Sequence, residues 1–390
     1  MPQQVAKDRA VARQSAPEEP LAESIHAAKS AGLVYVCDDR AGIRRVGSSK
    51  NPRYVSADNR PVTDKIILAR IKRLAIPPAW TEVWICPKQN GHLQATGRDA
   101  RGRKQYRYHP HWRQVRDENK YNRMLEFARS LPKIRKRIEA DLKKAGLPRE
   151  KVLAAVIKIL ETGLIRVGND EYARSNKSFG LTTMQDRHVD VNGGTIRFQF
   201  RGKSGKFHQI DIRDHRLAKI VSHCQAIPGQ ELFQYVDERG KPRDITSTDV
   251  NEYLREITRS DFTAKDFRTW GGTVLAAMAL QEFEKFDTKT QAKKNLMRAI
   301  EAVAQRLGNT PAICRKCYIH PEIMNAYLEG TMLETFKNRA EQQLRNIAGL
   351  SAEEAAVLAF LQKRLAAEQR NRRSTLFEKL ESSVKHRRKR

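Results

Sequence analysis

Residues 188–212 read HVDVNGGTIRFQFRGKSGKFHQIDI. Apolar and polar side chains alternate on either side of two turn signals, Gly193-Gly194 and Lys203–Lys206. That is the period of half-buried strands and not of a helix, so this stretch is expected to be a small antiparallel sheet. Helical patterns flank it. Upstream lie HWRQVRDENKYNRMLEFARSLPKIRKRIEADLKKAG and then REKVLAAVIKILETGLIR, the latter apolar on nearly all sides and expected as a core helix running to Arg166. Downstream, helices resume at about Arg213 and continue with breaks to the end of the chain.

The N-terminal third has a different texture. LVYVCDD (33–39) and GIRRVG read as strand, turn, strand, followed by an amphipathic helix over TDKIILARIKRLA with Ile66, Ile67, Ile71 and Leu74 at helical spacing. IPPAW breaks that helix, and TEVWIC, the Asn90-Gly91 turn and HLQATGRDARGRKQYRYHP supply further strands and a glycine-bearing loop. The expected class is therefore α+β. Residues 1–25 form an arm, 26–112 a small β-rich domain, 113–346 a mostly helical domain holding the small antiparallel sheet, and 347–390 a helical basic tail.

Among 390 residues, Lys and Arg number 74 against 45 acids, a formal charge of +29. Solubility alone asks for a net charge of only about 2–8. A surplus spread along the whole chain suits contact with a phosphate backbone, so the expected partner is a nucleic acid. No run of 18 or more apolar residues occurs and the first thirty residues lack a signal-peptide core, so a soluble, intracellular protein with no membrane partner is expected. Five cysteines, an odd number, argue against a disulfide framework.

Several motifs lead nowhere. GKSGK at 202–206 has Arg197 where a phosphate-binding loop needs glycine. Cys314, Cys317 and His320 have zinc-like spacing but no fourth ligand, and the setting of the C-x-x-C pair is helical where a redox motif would follow a strand. Carboxylates are scattered singly among bases, which does not suit a two-metal nuclease. Phosphodiester transfer without metal needs a nucleophile, cations over the non-bridging oxygens and an acid for the departing oxygen. Tyrosine, arginine and lysine can supply these, since arginine binds phosphate through a charged fork and nearby cations favour a phenolate. Tyr318 stands beside Arg315 and Lys316, yet chemistry alone does not choose it among ten tyrosines.

The choice comes from an ordered set of segments: GRDARGRKQYRYHP (97–110), LIRVGNDEYARSNKSFGLTT (164–183), FRGKSGK (200–206), KDFRTWGGT (265–273) and LGNTPAICRKCYIHP (307–321). Together they make the chain resemble the poxvirus-like, bacterial type IB DNA topoisomerases from about residue 32 to 345. The resemblance implies a β-rich N-terminal domain and a helical catalytic domain that close as a clamp around duplex DNA. It also implies relaxation of positive and negative supercoils through a 3′-phosphotyrosyl intermediate, with no cofactor, ATP or metal. By the same resemblance Tyr318 is the nucleophile, Arg166 and Arg268 are the clamp arginines, and Lys203 is the general acid, with Lys206 as second choice. Lys265 assists proton transfer, and Asn309 stands where the poxvirus enzymes have a histidine. The amide can still donate a hydrogen bond but cannot become cationic. Gln105, Tyr106, Tyr108 and Tyr172 are the implied duplex contacts. A monomer in the bacterial cytoplasm, associated with the nucleoid, is the implied setting.

Two other readings stand beside this one. A tyrosine recombinase uses the same nucleophile and clamp, but usually has histidine where this chain has Lys265, and lacks such a β domain. A non-catalytic architectural DNA-binding protein would make Tyr318 incidental and would bind DNA equally well without it.

Overall fold

The computed structural model describes residues 25, 27–47, 51–100, 102, 104–283, 286–332 and 349–387. The expected N-terminal arm, apart from Ile25, lies outside the described residues, as do 333–348 and 388–390. The chain divides into two units, 1–122 and 123–390.

The first unit is built on an antiparallel sheet of β1 (Ile43–Gly47), β2 (Pro52–Val55), β3 (Thr81–Ile85), β4 (Leu93–Arg98) and β5 (Lys104–Tyr108), in the order β2-β1-β3-β4-β5. Helix α1 (Lys65–Arg73) starts at Asp64, whose carboxylate accepts from the amides of Ile66 at 2.7 Å and Ile67 at 3.2 Å. This satisfies two of the amides a helix start leaves open. Ile71 enters a core with Ile43, Val83, Ile85 and Ala95, and Ile67 and Leu74 pack against it. Ile66, expected on the same face, is 75% exposed. The stripe 67-71-74 follows the helical period, and residue 66 falls about 100° to its side.

The strand expected over 33–39 is reduced to one parallel bridge between Val34 and Gly91. Val34 exchanges backbone bonds with Asn90 and His92, both 2.9 Å, but the next amide in register, Val36, donates to His92 Nδ1 at 3.0 Å. A side chain has taken the ladder's place, so no strand propagates. β1 pairs with β2 and β3 instead.

In the second unit the helices surround a buried axis. Helix α2 (Pro110–Leu142) accommodates Pro132 within its length. Helix α3 (Arg149–Gly163) is the axis: Val152 through Ile157, Ile159 and Leu160 have no solvent exposure. Each valine, leucine and isoleucine among them contributes about 1.5–3 kcal/mol through burial. The helix stops short of Arg166, where it was expected to reach. Leu164 turns left-handed at φ 51°, so Ile165 and Arg166 leave the helical path.

A short α4 (Asp170–Asn176) follows, then the meander β6 (Val189–Asn192), β7 (Thr195–Arg201) and β8 (Phe207–Arg213) in the order β6-β7-β8. Ile196, Phe198 and Phe200 of β7 and Ile210 and Ile212 of β8 form its buried face, as the alternation requires. Helix α5 (His215–Gln225) packs on β7. A two-stranded ribbon of β9 (Gln234–Val236) and β10 (Pro242–Asp244) comes next, which sequence reading did not separate from the helices. Helices α6 (Ser247–Thr258), α7 (Ala264–Gln281), α8 (Lys289–Leu307), α9 (Pro311–Cys317), α10 (Pro321–Leu328) and α11 (Ala352–Arg387) complete the unit. The α6 and α7 helices cover α3, and α8 packs on α7 and carries α9 and α10. The architecture is mixed α and β, an antiparallel sheet followed by a helical body. Among the described residues no helix is long and apolar enough to cross a membrane.

Candidate active site

Five chain segments that are distant in sequence meet within the second unit. Arg166 is delivered by the stretch that leaves α3. That stretch is fixed by Leu181 N donating to Arg166 O at 2.9 Å and Thr182 N donating to Val167 O at 2.7 Å. Arg268 lies on α7, only 4% exposed. Its guanidinium donates from Nη1 to Leu164 O, at the end of α3, and from Nη2 to Leu307 O, at the end of α8, at 2.8 Å. One arginine thus ties two helix ends together through carbonyls that have no helical partner.

Tyr318 closes α9, with its amide donating to Cys314 O at 3.0 Å. The Arg268 guanidinium carbon stands 5.4 Å from the Tyr318 ring centre. The backbone of Tyr318 is held from below by α7: Thr273 Oγ1 donates to Tyr318 O at 3.0 Å. A Cβ on Gly272 would fall 3.1 Å from that same oxygen, so the glycine permits the close approach. Arg166 Nη2 donates to Asn309 Oδ1, and Lys206 Nζ donates to Asn309 O at 3.0 Å. Asn309 follows Gly308, the left-handed cap of α8.

Neither Arg166 nor Arg268 has a carboxylate partner among the described residues. Burial, and then the charge of Arg166, push Arg268 down to about 10, partly offset by Tyr318. Burial likewise lowers Arg166, against the opposing influence of Tyr318 and Cys314. Among the described residues, Arg268 Nε and Asn309 Nδ2 are buried without a hydrogen-bond partner. One buried and one half-buried cation, with two donors that have no partner, stand beside Tyr318, an arrangement suited to an anion.

The remaining expected residues separate from this cluster. Lys203 is exposed on the single turn Lys203–Gly205 between β7 and β8, the turn that also supplies Lys206. Lys265 is on α7 and is exposed, three residues before the buried Arg268. No hydrogen bond joins the Lys265 side chain to the cluster among the described residues. His320 is 1% exposed and caps α10, its Nδ1 accepting from Glu322 N at 3.1 Å, so it is a structural residue. Cys314 is buried, its thiol pushed up by burial, and no group of three or more metal-ligating side chains occurs among the described residues.

In the first unit, Tyr106 is 46% exposed and stacks on Tyr108 with ring centres 5.9 Å apart. Lys104 stands 5.7 Å above the Tyr106 ring. Tyr108 also packs against the cluster of Ala28, Leu33 and Trp112. Gln105 donates to Asp99 Oδ2 at 2.9 Å. Tyr172 belongs to α4, and its side chain lies outside what the structure describes.

Sequence reading missed three participants. Thr273 anchors the backbone of the nucleophile, Leu307 O anchors Arg268, and His208 on β8 lies against the cluster. The only sequence signal for His208 is its position two residues after Lys206 in FRGKSGKFHQ.

A buried arginine and a half-buried one beside a tyrosine, on a helical unit that follows a β-rich one in the chain, are a setting suited to phosphodiester chemistry. Residues 109–346 match the family described as eukaryotic DNA topoisomerase I, catalytic core, and residues 52–99 match bacterial DNA topoisomerase IB, N-terminal domain. The chain belongs to the type IB DNA topoisomerases. It is 35% identical over 283 residues to a DNA topoisomerase 1B of Acanthamoeba polyphaga mimivirus, covering 71% of this chain and 83% of that protein. It is 23% identical over 242 residues to the DNA topoisomerase 1B of Vaccinia virus (strain Copenhagen), covering 61% of this chain and 73% of that protein. The recombinase and the non-catalytic binder are thereby set aside.

Proposed function

We propose that the chain relaxes supercoiled duplex DNA of either sign as a monomer, by cleaving and resealing one strand with Tyr318. In this reading Tyr318 Oη gives up its proton to solvent and forms a bond to the scissile phosphorus as the bond to the 5′ oxygen breaks. A 3′-phosphotyrosine and a free 5′ hydroxyl result. Arg166 and Arg268 stabilise the two non-bridging oxygens, and Asn309 Nδ2 donates to one of them. Lys203 delivers the proton that the departing 5′ oxygen needs, and Lys265 assists its transfer. Religation is the reverse reaction. The covalent bond conserves the phosphodiester energy, so neither ATP nor metal is required.

The carrying observation is the Arg268 guanidinium, 5.4 Å from the Tyr318 ring centre, beside the unpartnered donors Arg268 Nε and Asn309 Nδ2. A phosphate diester supplies the negative oxygens those donors lack. The +29 charge supports a long contact with duplex DNA. In the first unit, Gln105, Tyr106 and Tyr108 are the proposed duplex contacts, joined by Tyr172 of the second, and the two units close around the DNA as a clamp. The cellular setting is the bacterial nucleoid.

The test is plasmid relaxation in EDTA without ATP, run with wild type and Tyr318→Phe. Wild type is expected to relax both positively and negatively supercoiled plasmid, while the variant binds DNA and relaxes neither. No relaxation by folded wild type, or relaxation by the variant, would refute the reading.

A further inference from the structure

His208 has no part in the proposed mechanism, yet it is lodged at the mechanical junction of the site. Its imidazole stacks on Phe200, the residue opposite it across β7 and β8, with ring centres 5.1 Å apart and planes within 13°. The ring's edges meet two glycines. A Cβ on Gly202, which begins the Lys203 turn, would fall 2.6 Å from His208 Cδ2 and Nε2. A Cβ on Gly308, immediately before Asn309, would fall 1.9 Å from His208 Cε1. No side chain can occupy either place while the ring is there.

The imidazole therefore fills the gap between the β7–β8 turn and the junction of α8 with α9. A second tie crosses the same gap, the bond from Lys206 Nζ to Asn309 O at 3.0 Å. Its neighbours are three cations, Arg166, Arg268 and Lys206, and its Nε2 is buried with no partner. Burial first, and those cations next, lower its basicity, so the wedge stays an uncharged ring and adds no repulsion to the cluster.

We propose that His208 is a positioning residue: wedged between Gly202 and Gly308, its ring holds the Lys203 turn in register with Asn309 and the nucleophile helix. Proton delivery to the departing 5′ oxygen is thereby tied to the geometry of attack. The inference rests on the role given above to Lys203 as proton donor. Loss of the wedge leaves the turn held across the gap by the Lys206 tie alone, while Arg166, Arg268 and Tyr318 keep their own anchorages after α3, on α7 and at the end of α9.

The prediction separates protonation from attack. In an ordinary duplex the 5′ oxygen leaves as a hydroxyl and needs a proton. In a duplex with sulfur as the bridging 5′ atom, the thiolate departs without one. His208→Ala is expected to cleave the ordinary strand about 10–100-fold more slowly than wild type, a partial loss of the roughly 10²–10⁴-fold that acid–base assistance supplies, and to cleave the sulfur-bridged strand at close to the wild-type rate. DNA affinity should be unchanged.

Gly202→Ala displaces the ring without removing it and should show the same pattern, which provides a reading if His208→Ala does not fold. Lys203→Ala is measured in parallel. If sulfur rescues Lys203→Ala but neither wedge variant, or if the wedge variants cleave both strands like wild type, His208 does not position the donor. If sulfur fails to rescue Lys203→Ala, the role assigned to Lys203 itself is wrong, and the inference falls with it.

Discussion

Thr273→Val exchanges one hydroxyl for one methyl at a residue with no solvent exposure, so neither a cavity nor an overpacked side chain is created. The Thr273 hydroxyl lies 3.0 Å from both Thr269 O and Tyr318 O, and accepts from His320 N at 3.1 Å. Thr269 O keeps its place in the α7 ladder after the change. Tyr318 O loses the Thr273 donor and the buried His320 amide loses this acceptor. A buried polar group left unsatisfied costs about 1–3 kcal/mol, so the expected loss is about 3 kcal/mol, the two groups sharing one lost hydroxyl. For a unit of this size that lowers the melting temperature by roughly 6–12 °C.

The same bond fixes the backbone of the nucleophile, and a displacement near 1 Å in a reacting group costs about 10²-fold in rate. Thr273→Val should therefore also slow single-turnover strand cleavage by about 10–100-fold at a temperature where it is fully folded. Thr273→Ser restores the hydroxyl and should recover most of both effects. Calorimetry and single-turnover cleavage of a duplex read the two quantities separately. A Thr273→Val protein that melts within about 2 °C of wild type and cleaves at its rate would refute the claim that this hydroxyl anchors the site.

Arg268→Met should abolish about 10²–10³-fold of the cleavage rate while changing stability by less than about 2 kcal/mol, because relief of a buried charge without a carboxylate offsets two lost hydrogen bonds. A large loss of stability in denaturant titrations would contradict that balance. Arg135→Met breaks a different, structural knot. Arg135 bonds Glu161 Oε1 at 2.8 Å and Glu354 through both oxygens at 2.8 and 2.9 Å, joining α2, α3 and α11, and its loss should cost about 3–5 kcal/mol. Burial pushes the Glu354 carboxyl up, but hydrogen bonds from Arg135 and the Ser351 amide more than offset it and leave it below its ordinary 4.5. The stabilisation from this depressed acid is thus full above that ordinary value and is lost as pH falls through the folded-state value. Acid melts of wild type should lose that contribution below pH 4.5, and Arg135→Met should lack it.

The meander at 189–213 was legible because alternation is a local signal that burial on one face enforces. The α3 axis was legible for the same reason, through its unbroken apolar surface. Its end was not, because the left-handed Leu164 carries no glycine to mark it. The strand expected at Leu33 failed on a side chain, His92, that captures Val36 N from far along the sequence. Within the site, Arg166, Arg268, Asn309 and Tyr318 were nameable only through the ordered motifs, and the structure draws them into one cluster. Lys265 lies three residues before Arg268 on the same helix, but it is exposed where Arg268 is buried, a difference that helical spacing does not encode. His208 escaped notice because its place is set by Gly308, a contact that no local pattern encodes.

The most direct test of the account is to trap the protein on a nicked or suicide duplex, digest it and map the residue joined to DNA by mass spectrometry. The predicted adduct is a single peptide containing Tyr318, linked to the 3′ phosphate, with the 5′ end free as a hydroxyl. An adduct on any other residue, or on the 5′ side of the break, would contradict it.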